Sequence, residues 1–228
     1  EKEIQIVICI DEFQQISDFE DSKTFQKKLR SVWQLQQHVS YCLFGSKKHL
    51  MNELFEKKNL PFYKFGDAIY LTKIETKYWI EYICKRFENT GKHISPELAE
   101  EICRLVDNHS SYVQQLSWLL WIRTINTATT EQLTYALEDL LDQNNILFQS
   151  ETENLSAYQM NFLKAIVDGI HTKFSSKEVI SKYNLGTSAN IVRLKNALLQ
   201  KELIETNGKE IVLADPVFGV WFKKEMLY

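Results

Sequence analysis

The first apolar run, Ile4-Gln5-Ile6-Val7-Ile8-Cys9-Ile10, is rich in β-branched side chains and is followed directly by two acids, Asp11 and Glu12. Such a run predicts a strand buried on both faces, as in a parallel sheet. From Lys23 to His38 the period changes, and Phe25, Leu29, Val32, Trp33 and Gln36 recur at helical spacing. Val39 to Phe44 reads as a second strand, ended by Gly45-Ser46, and Lys47 to Phe55 as a helix. Pro61 restricts the residue before it, so Leu60–Tyr63 is expected to be extended. Ala68–Leu71 is expected as a short strand. Strand, helix, strand is half of an α/β layer.

Beyond Thr72 the pattern is helical as far as Asn144. One helix is expected from Thr76 to about Thr90, closed by Gly91. A second starts at Ser95-Pro96-Glu97-Leu98, with Ser as cap and Pro in the first turn. Others are expected over Ser111–Ile125 and from Thr130 to about Asn144, the last with Leu133, Ala136, Leu137, Leu140 and Leu141 at helical spacing. The polar stretch Gln149 to Asn154 reads as a linker. After it come a helix over Ser156–Val167, a second opened by Phe174–Ile180, the turn Asn184–Ser188 and a third helix from Ala189 to Lys201. Leu203–Thr206 and Glu210–Leu213 flank Asn207-Gly208, a hairpin signal. Three helices and a hairpin make a winged helix-turn-helix, with Trp221 and Phe222 expected to pack back on its first helix. The predicted architecture is thus mostly helical: an α/β piece over 1–71, an all-α region over 72–149 and a winged helix over 150–228.

Composition agrees with this. The 228 residues are 44% hydrophobic, enough for a core, and seven Gly and three Pro favour long helices over turn-rich β structure. No apolar run approaches the roughly 20 residues that span a bilayer. The acidic start, Glu1-Lys2-Glu3, does not resemble a signal peptide, so a cytoplasmic protein with no membrane partner is expected. The scattered Cys9, Cys42, Cys84 and Cys103 form no CxxC pair and are expected as buried free thiols. His49, His93, His109 and His171 are equally scattered and read as ordinary surface or capping residues. Trp118 and Trp121, beside Leu119 and Leu120, read as helical core. Residues 67–155 are acidic, with fourteen acids to seven bases, whereas 156–228 carry a net charge of +3. That balance permits nucleic-acid contact without demanding it.

The sharpest chemistry sits at Asp11-Glu12. In P-loop ATPases a strand delivers two acids at its carboxyl end, the first holding Mg²⁺ through water, the second polarising the water that attacks the γ-phosphate. By itself the pattern is also that of a buried strand ending in solvated acids. One helix later, Tyr41-Cys42-Leu43-Phe44-Gly45-Ser46 ends a neighbouring strand in a polar residue. Ser46 is there placed as a γ-phosphate sensor, although Gly-Ser after a strand is otherwise only a turn. In the winged unit, Thr187, Ser188, Asn190, Arg193, Lys195 and Asn196 lie on the third helix, where polar and basic side chains can enter a major groove. Such folds also mediate protein contacts.

Several runs together resemble the archaeal-type P-loop ATPase family of the AAA+/STAND kind. They are Ile10-Asp11-Glu12-Phe13-Gln14, Val32-Trp33-Gln34, Phe44-Gly45-Ser46-Lys47, Pro61–Gly66, Tyr112-Val113-Gln114-Gln115-Leu116, Lys182–Asn190 and Asp215-Pro216-Val217-Phe218. The resemblance spans nearly the whole chain. It implies a nucleotide core with Walker B and sensor 1, a helical lid and a winged helix, ATP and Mg²⁺ as ligands, Glu12 as the catalytic residue, and Asp11 and Ser46 as cofactor-binding residues. Two departures stand out. No Gly-x-x-x-x-Gly-Lys-Ser/Thr occurs in the 228 residues, so the chain is expected as a C-terminal part, inactive alone and with no nucleotide bound. In addition, Asn108-His109-Ser110-Ser111 stands where relatives have a Pro before the Tyr-Val-Gln run. The rival expectations are a non-catalytic winged-helix module that binds DNA or protein, and a protein scaffold that uses the acidic helices.

Overall fold

The computed structural model describes residues 4–227, apart from the side chains at 48, 49 and 227. The readings of Glu1–Glu3 and of His49 lie outside it. The chain divides into two compact units, Glu1–Leu71 and Thr72–Tyr228.

In the first unit β1 (Ile6–Ile10) pairs in parallel with β2 (Val39–Leu43), and Ile8 lies opposite Tyr41 and Cys9 opposite Cys42. Between them run a 3-10 segment (Phe13–Asp18) and α1 (Ser22–Trp33); α2 (Lys48–Glu56) follows. One sheet face is covered towards the carboxyl ends of its strands, while Ile6 and Ile8 on the same face stay 49% and 38% exposed. Ile10, Leu29, Trp33 and Leu43 pack on a core of Phe13, Ile16, Leu54 and Phe62, and Trp33 stacks on Tyr41 at 4.1 Å between ring centres. On the other face Val7 is 65% exposed, and Cys9, Ser40 and Cys42 are exposed too. The expectation of a strand buried on both sides is therefore corrected. Alternating side chains need a layer on each face, and among the described residues of this unit only one face has one. For the same reason Cys9 and Cys42 are exposed, Cys84 is half-buried, and only Cys103 is the buried thiol expected.

Two further expectations change. Leu60–Tyr63 is turned rather than extended: Tyr63 N–H donates to Leu60 O and Phe65 N–H to Phe62 O. Arg30 holds this segment, donating to the carbonyls of Pro61 and Tyr63 with its guanidinium over the Phe65 ring. Ala68–Leu71 forms no ladder, and Leu71 is 93% exposed.

The second unit holds α3 (Thr76–Glu88), α4 (Pro96–Leu105), α5 (Ser110–Arg123), α6 (Thr130–Glu153), α7 (Ala157–Val167), α8 (Lys177–Tyr183) and α9 (Ser188–Gln200), then the antiparallel pair β3 (Ile204–Asn207) and β4 (Glu210–Leu213), and α10 (Pro216–Leu227). Local chemistry sets the starts. Ser95 accepts from Leu98 N–H ahead of Pro96, Thr129 with Gln132 and Ser156 with Gln159 form capping boxes, and Ser176 accepts from Val179 N–H. The α/β piece, the helical region and the winged helix thus follow one another as the pattern predicts.

The linker does not exist as such. Gln149–Glu153 is the end of α6, which runs 24 residues through it. Phe148 is 1% exposed and Thr152 is buried, with Gln149, Ser150 and Glu153 on the outside. Phe148 meets Phe218 and Trp221, at 5.4 and 5.6 Å between ring centres, and Trp221 Nε1 donates to Asn145 Oδ1 at 2.8 Å. One apolar cluster runs from Trp79 in α3 to Phe222 in α10. Burial of one aromatic face keeps a polar stretch helical, and one core crosses the boundary expected at 149/150. Trp221 packs on α6 through Phe148 and Asn145, and α10 also lies against α7. His171 is no bystander either: its backbone accepts from Ile211 N–H and its ring Nδ1 lies 3.1 Å from Ile211 O, tying the loop after α7 to β4.

Candidate functional site

The parallel ladder continues past the strands, with Phe44 N–H donating to Ile10 O and Phe13 N–H to Phe44 O. It sets Asp11-Glu12 beside Gly45-Ser46. Glu12 takes a left-handed conformation (φ 48°, ψ 41°), uncommon for a non-glycine residue, at the turn from β1 into the 3-10 segment. Asp11 Oδ1 accepts the Glu12 N–H at 2.8 Å. Ser46 Oγ donates to Glu12 Oε2 at 3.1 Å across 34 residues of sequence. The Gln14 side-chain amide donates to the same oxygen. These donors, Gln14 first and Ser46 second, hold the Glu12 carboxyl below the ordinary range, because hydrogen bonds to the charged form favour it. Glu12 Oε2 thus accepts from two side-chain donors, and the Lys47 charge acts on its carboxyl in the same direction.

Gln14 stands in the Ile10–Gln14 run, but nothing in the sequence gives it a role. It is 2% exposed, a buried polar side chain one turn beyond a charged strand end. Its Oε1 presses on the backbone of Gly45: a Cβ built on Gly45 would stand 1.9 Å from that oxygen. Gly45 does more than end a strand, since the absence of its side chain makes the room in which Gln14 reaches Glu12. The signal was present in sequence only as a Gln among Phe13 and Ile16 and a Gly after an apolar strand.

Asp11 is exposed at the strand end. Among the described residues no group of three or more His, Cys, Asp or Glu is arranged to hold a metal ion.

The Tyr-Val-Gln run of α5 does not stand free. Tyr112 OH donates to Asp215 Oδ2, and Asp215 Oδ1 accepts the Val217 and Phe218 N–H groups at the start of α10. Two of the runs that carried the family resemblance thus meet, and their pairing fastens α5 to the winged helix. Burial first, and the Asp215 carboxylate second, push the Tyr112 phenol up. Burial and the Asp215 charge likewise push the Glu151 carboxyl up. Before α5, Asp107 and Asn108 are both left-handed, and Asn108 exchanges hydrogen bonds with Thr76.

Thr187, which precedes α9, and Ser188, Arg193 and Asn196 on it are exposed, whereas Lys195 is half-buried. Asn190 is turned inward, its amide donating to Leu185 O at 3.1 Å and its nitrogen 3.3 Å from where a Gly186 Cβ would stand. The neighbouring hairpin and its approach carry Glu202, Glu205 and Glu210 against Lys201 and Lys209.

The fold is similar to that of a solved Walker-type ATPase. A Walker-type ATPase of Pyrococcus abyssi superimposes on 96% of the chain at a TM-score of 0.73 and 17% identity; this chain spans 63% of the length of that one. The RuvB Holliday junction branch migration motor of Thermotoga maritima (TM-score 0.47, 13% identity, 97% of this chain and 70% of that one) and the Orc1 protein of Aeropyrum pernix, in complex with DNA (0.46, 12%, 96% and 64%), are more distant and add nothing to that likeness. Residues 146–224 match a family model described as a probable winged helix domain. No curated protein matches the chain in sequence. Among the described residues no helix is long and apolar enough to cross a membrane.

Proposed function

We propose that the chain carries the acidic and sensing half of an AAA+/STAND-type ATP-hydrolysing site, joined to a helical lid and a winged helix. The observation that carries this reading is the pairing of Ser46 with Glu12, 34 residues apart, at the carboxyl ends of two parallel strands. Carboxyl ends of parallel strands are where open α/β sheets bind ligands. In this reading Asp11 holds Mg²⁺ through water, and the ion supplies charge neutralisation for the phosphates. Glu12 accepts from the attacking water, Ser46 reports the γ-phosphate, and Gln14 fixes the Glu12 carboxylate. The 228 residues contain no phosphate-cradling glycine loop, and this reading requires one from residues outside them.

The test uses the product of the native reading frame that contains these residues. Glu12→Gln keeps the shape and loses the charge, so ATP turnover is expected to fall by roughly a hundredfold or more with binding retained. Turnover at the wild-type rate would remove Glu12 from the role.

The second reading is an interaction module, in which Thr187, Ser188, Asn190, Arg193 and Lys195 face DNA or a protein. The match of 146–224 to a winged helix supports an interaction element. The acids of the hairpin and the inward Asn190 favour protein over DNA, since duplex binding draws on clustered positive charge. Salt-dependent duplex binding by the whole chain, lost in Arg193→Ala, would reverse that preference.

A further inference from the structure

The end of α6 and the start of α10 bring two carboxyls together within the second unit. Asn145 of α6 accepts from Trp221 of α10, and Phe148 lies against Phe218. Three residues forward along α6 are thus matched by three residues back along α10, so the two helices run antiparallel. One further step of the same length sets Glu151 opposite Asp215. Asp215 already uses both oxygens as acceptors, Oδ2 from the Tyr112 phenol and Oδ1 from the N–H groups of Val217 and Phe218. Glu151 is half-buried, and among the described residues its carboxyl has neither a hydrogen-bond donor nor a cation. The groups that act on this pair are Tyr112 from α5, with His109 against its ring at 4.8 Å between ring centres, and the two carboxyls themselves. Glu153 on α6, Lys164 on α7 and Glu210 on β4 are exposed and pair with neither carboxyl.

We propose that Glu151 and Asp215 form a proton-operated joint between α6 and the winged helix, closed when a proton from solvent neutralises Glu151 and loosened when both carboxyls are charged. The proton goes to Glu151 because Asp215 gives its lone pairs to three donors and Glu151 gives its own to none. Asp215 keeps the charge that caps α10 at its positive end, so the proton removes the repulsion without removing the cap. Burial first, and the Asp215 charge second, hold the Glu151 carboxyl above its usual range. The stability that neutral Glu151 contributes is therefore present below the unfolded value of about 4.3 and lost as pH rises through the folded one. Every group in the joint belongs to the second unit, and the inference is independent of the ATPase reading.

The experiment titrates the glutamate carboxyl carbons of the whole chain by nuclear magnetic resonance, with assignment through the backbone. Glu151 should titrate above about 4.3, and its midpoint should fall in Asp215→Asn, which keeps a capping side chain and loses the charge. In urea melts Glu151→Gln should have a higher midpoint than the wild type at pH 7, and the gain should vanish below about pH 4. Hydrogen exchange corrected for intrinsic rates should show the Val217 and Phe218 N–H groups better protected at lower pH in the wild type and equally protected across pH in Glu151→Gln. A Glu151 midpoint at or below about 4.3, or one that Asp215→Asn leaves unmoved, would overturn the proposal. So would a Glu151→Gln gain that is absent at pH 7 or constant with pH, or wild-type protection that ignores pH. The wild-type titration decides the matter even if a variant does not fold.

Discussion

Replacing Phe148 by Ala tests whether helical lid and winged helix are one folding unit. The ring is 1% exposed on α6 and lies against Phe218 and Trp221 of α10. Truncating a buried Phe to Ala removes transfer free energy and leaves a cavity, together about 3–5 kcal/mol. With a urea m-value of about 2.5 kcal/mol/M, the unfolding midpoint of the second unit should fall by about 1–2 M. Because one apolar cluster runs from Trp79 to Phe222, the loss should be shared. Urea melts followed by circular dichroism give the midpoint, and native-state hydrogen exchange gives its distribution. Peptides from α3–α5 and from α7–α10 should lose protection together. Loss confined to the winged helix, with α3–α5 protected as in wild type, would refute the single-unit reasoning. The same logic predicts that residues 150–228 alone, deprived of Phe148 and Asn145, melt without a cooperative transition, whereas the polar stretch Gln149–Asn154 suggests in sequence that they fold by themselves.

Three other outcomes are expected. Gly45→Ala places a methyl against Gln14 Oε1 and should destabilise the first unit by about 1–3 kcal/mol; in urea melts, adding Gln14→Ala should recover part of that loss, and strict additivity would mean the two residues are not coupled. Tyr112→Phe leaves Asp215 Oδ2 without its phenol donor. The folded phenol titrates above its unfolded value of about 10, so the stability it contributes is present below pH 10 and lost as pH rises beyond it. The stability gap between wild type and variant should therefore narrow in melts above pH 10, and a constant gap would deny the shift. Calorimetric titration of the 228-residue chain with a non-hydrolysable ATP analogue and Mg²⁺ at millimolar concentration should show no saturable binding, since backbone donors of a phosphate loop supply most of a triphosphate's partners; clear saturation would require a different site.

Much was written in local chemistry. Ser95-Pro96, Thr129 with Gln132 and Ser156 with Gln159 mark helix starts because caps act within a few residues. The two-residue turn at Gly208-Lys209 closes the hairpin next to its signal, Asn207-Gly208, because turn geometry is local. Asp11-Glu12 and Ser46 each stand out in sequence as a polar end to an apolar strand, but that Ser46 Oγ reaches Glu12 Oε2 depends on the parallel pairing of β1 with β2. What lay beyond sequence was everything that depends on which faces meet. Val7, Cys9, Ser40 and Cys42 look like core in a string of letters, yet a side chain is buried only if a layer covers its face. Gln149–Asn154 looks like a linker, yet Phe148 and Thr152 find an apolar partner and the helix continues. Glu12 with Gln14 and Gly45 stand in two separate runs of the sequence, and nothing there says that the three touch. Only the parallel register that sets Phe13 beside Phe44 brings a missing Cβ, a buried amide and a carboxylate within reach of one another, because a ladder fixes positions to ångströms while a sequence pattern fixes only their period.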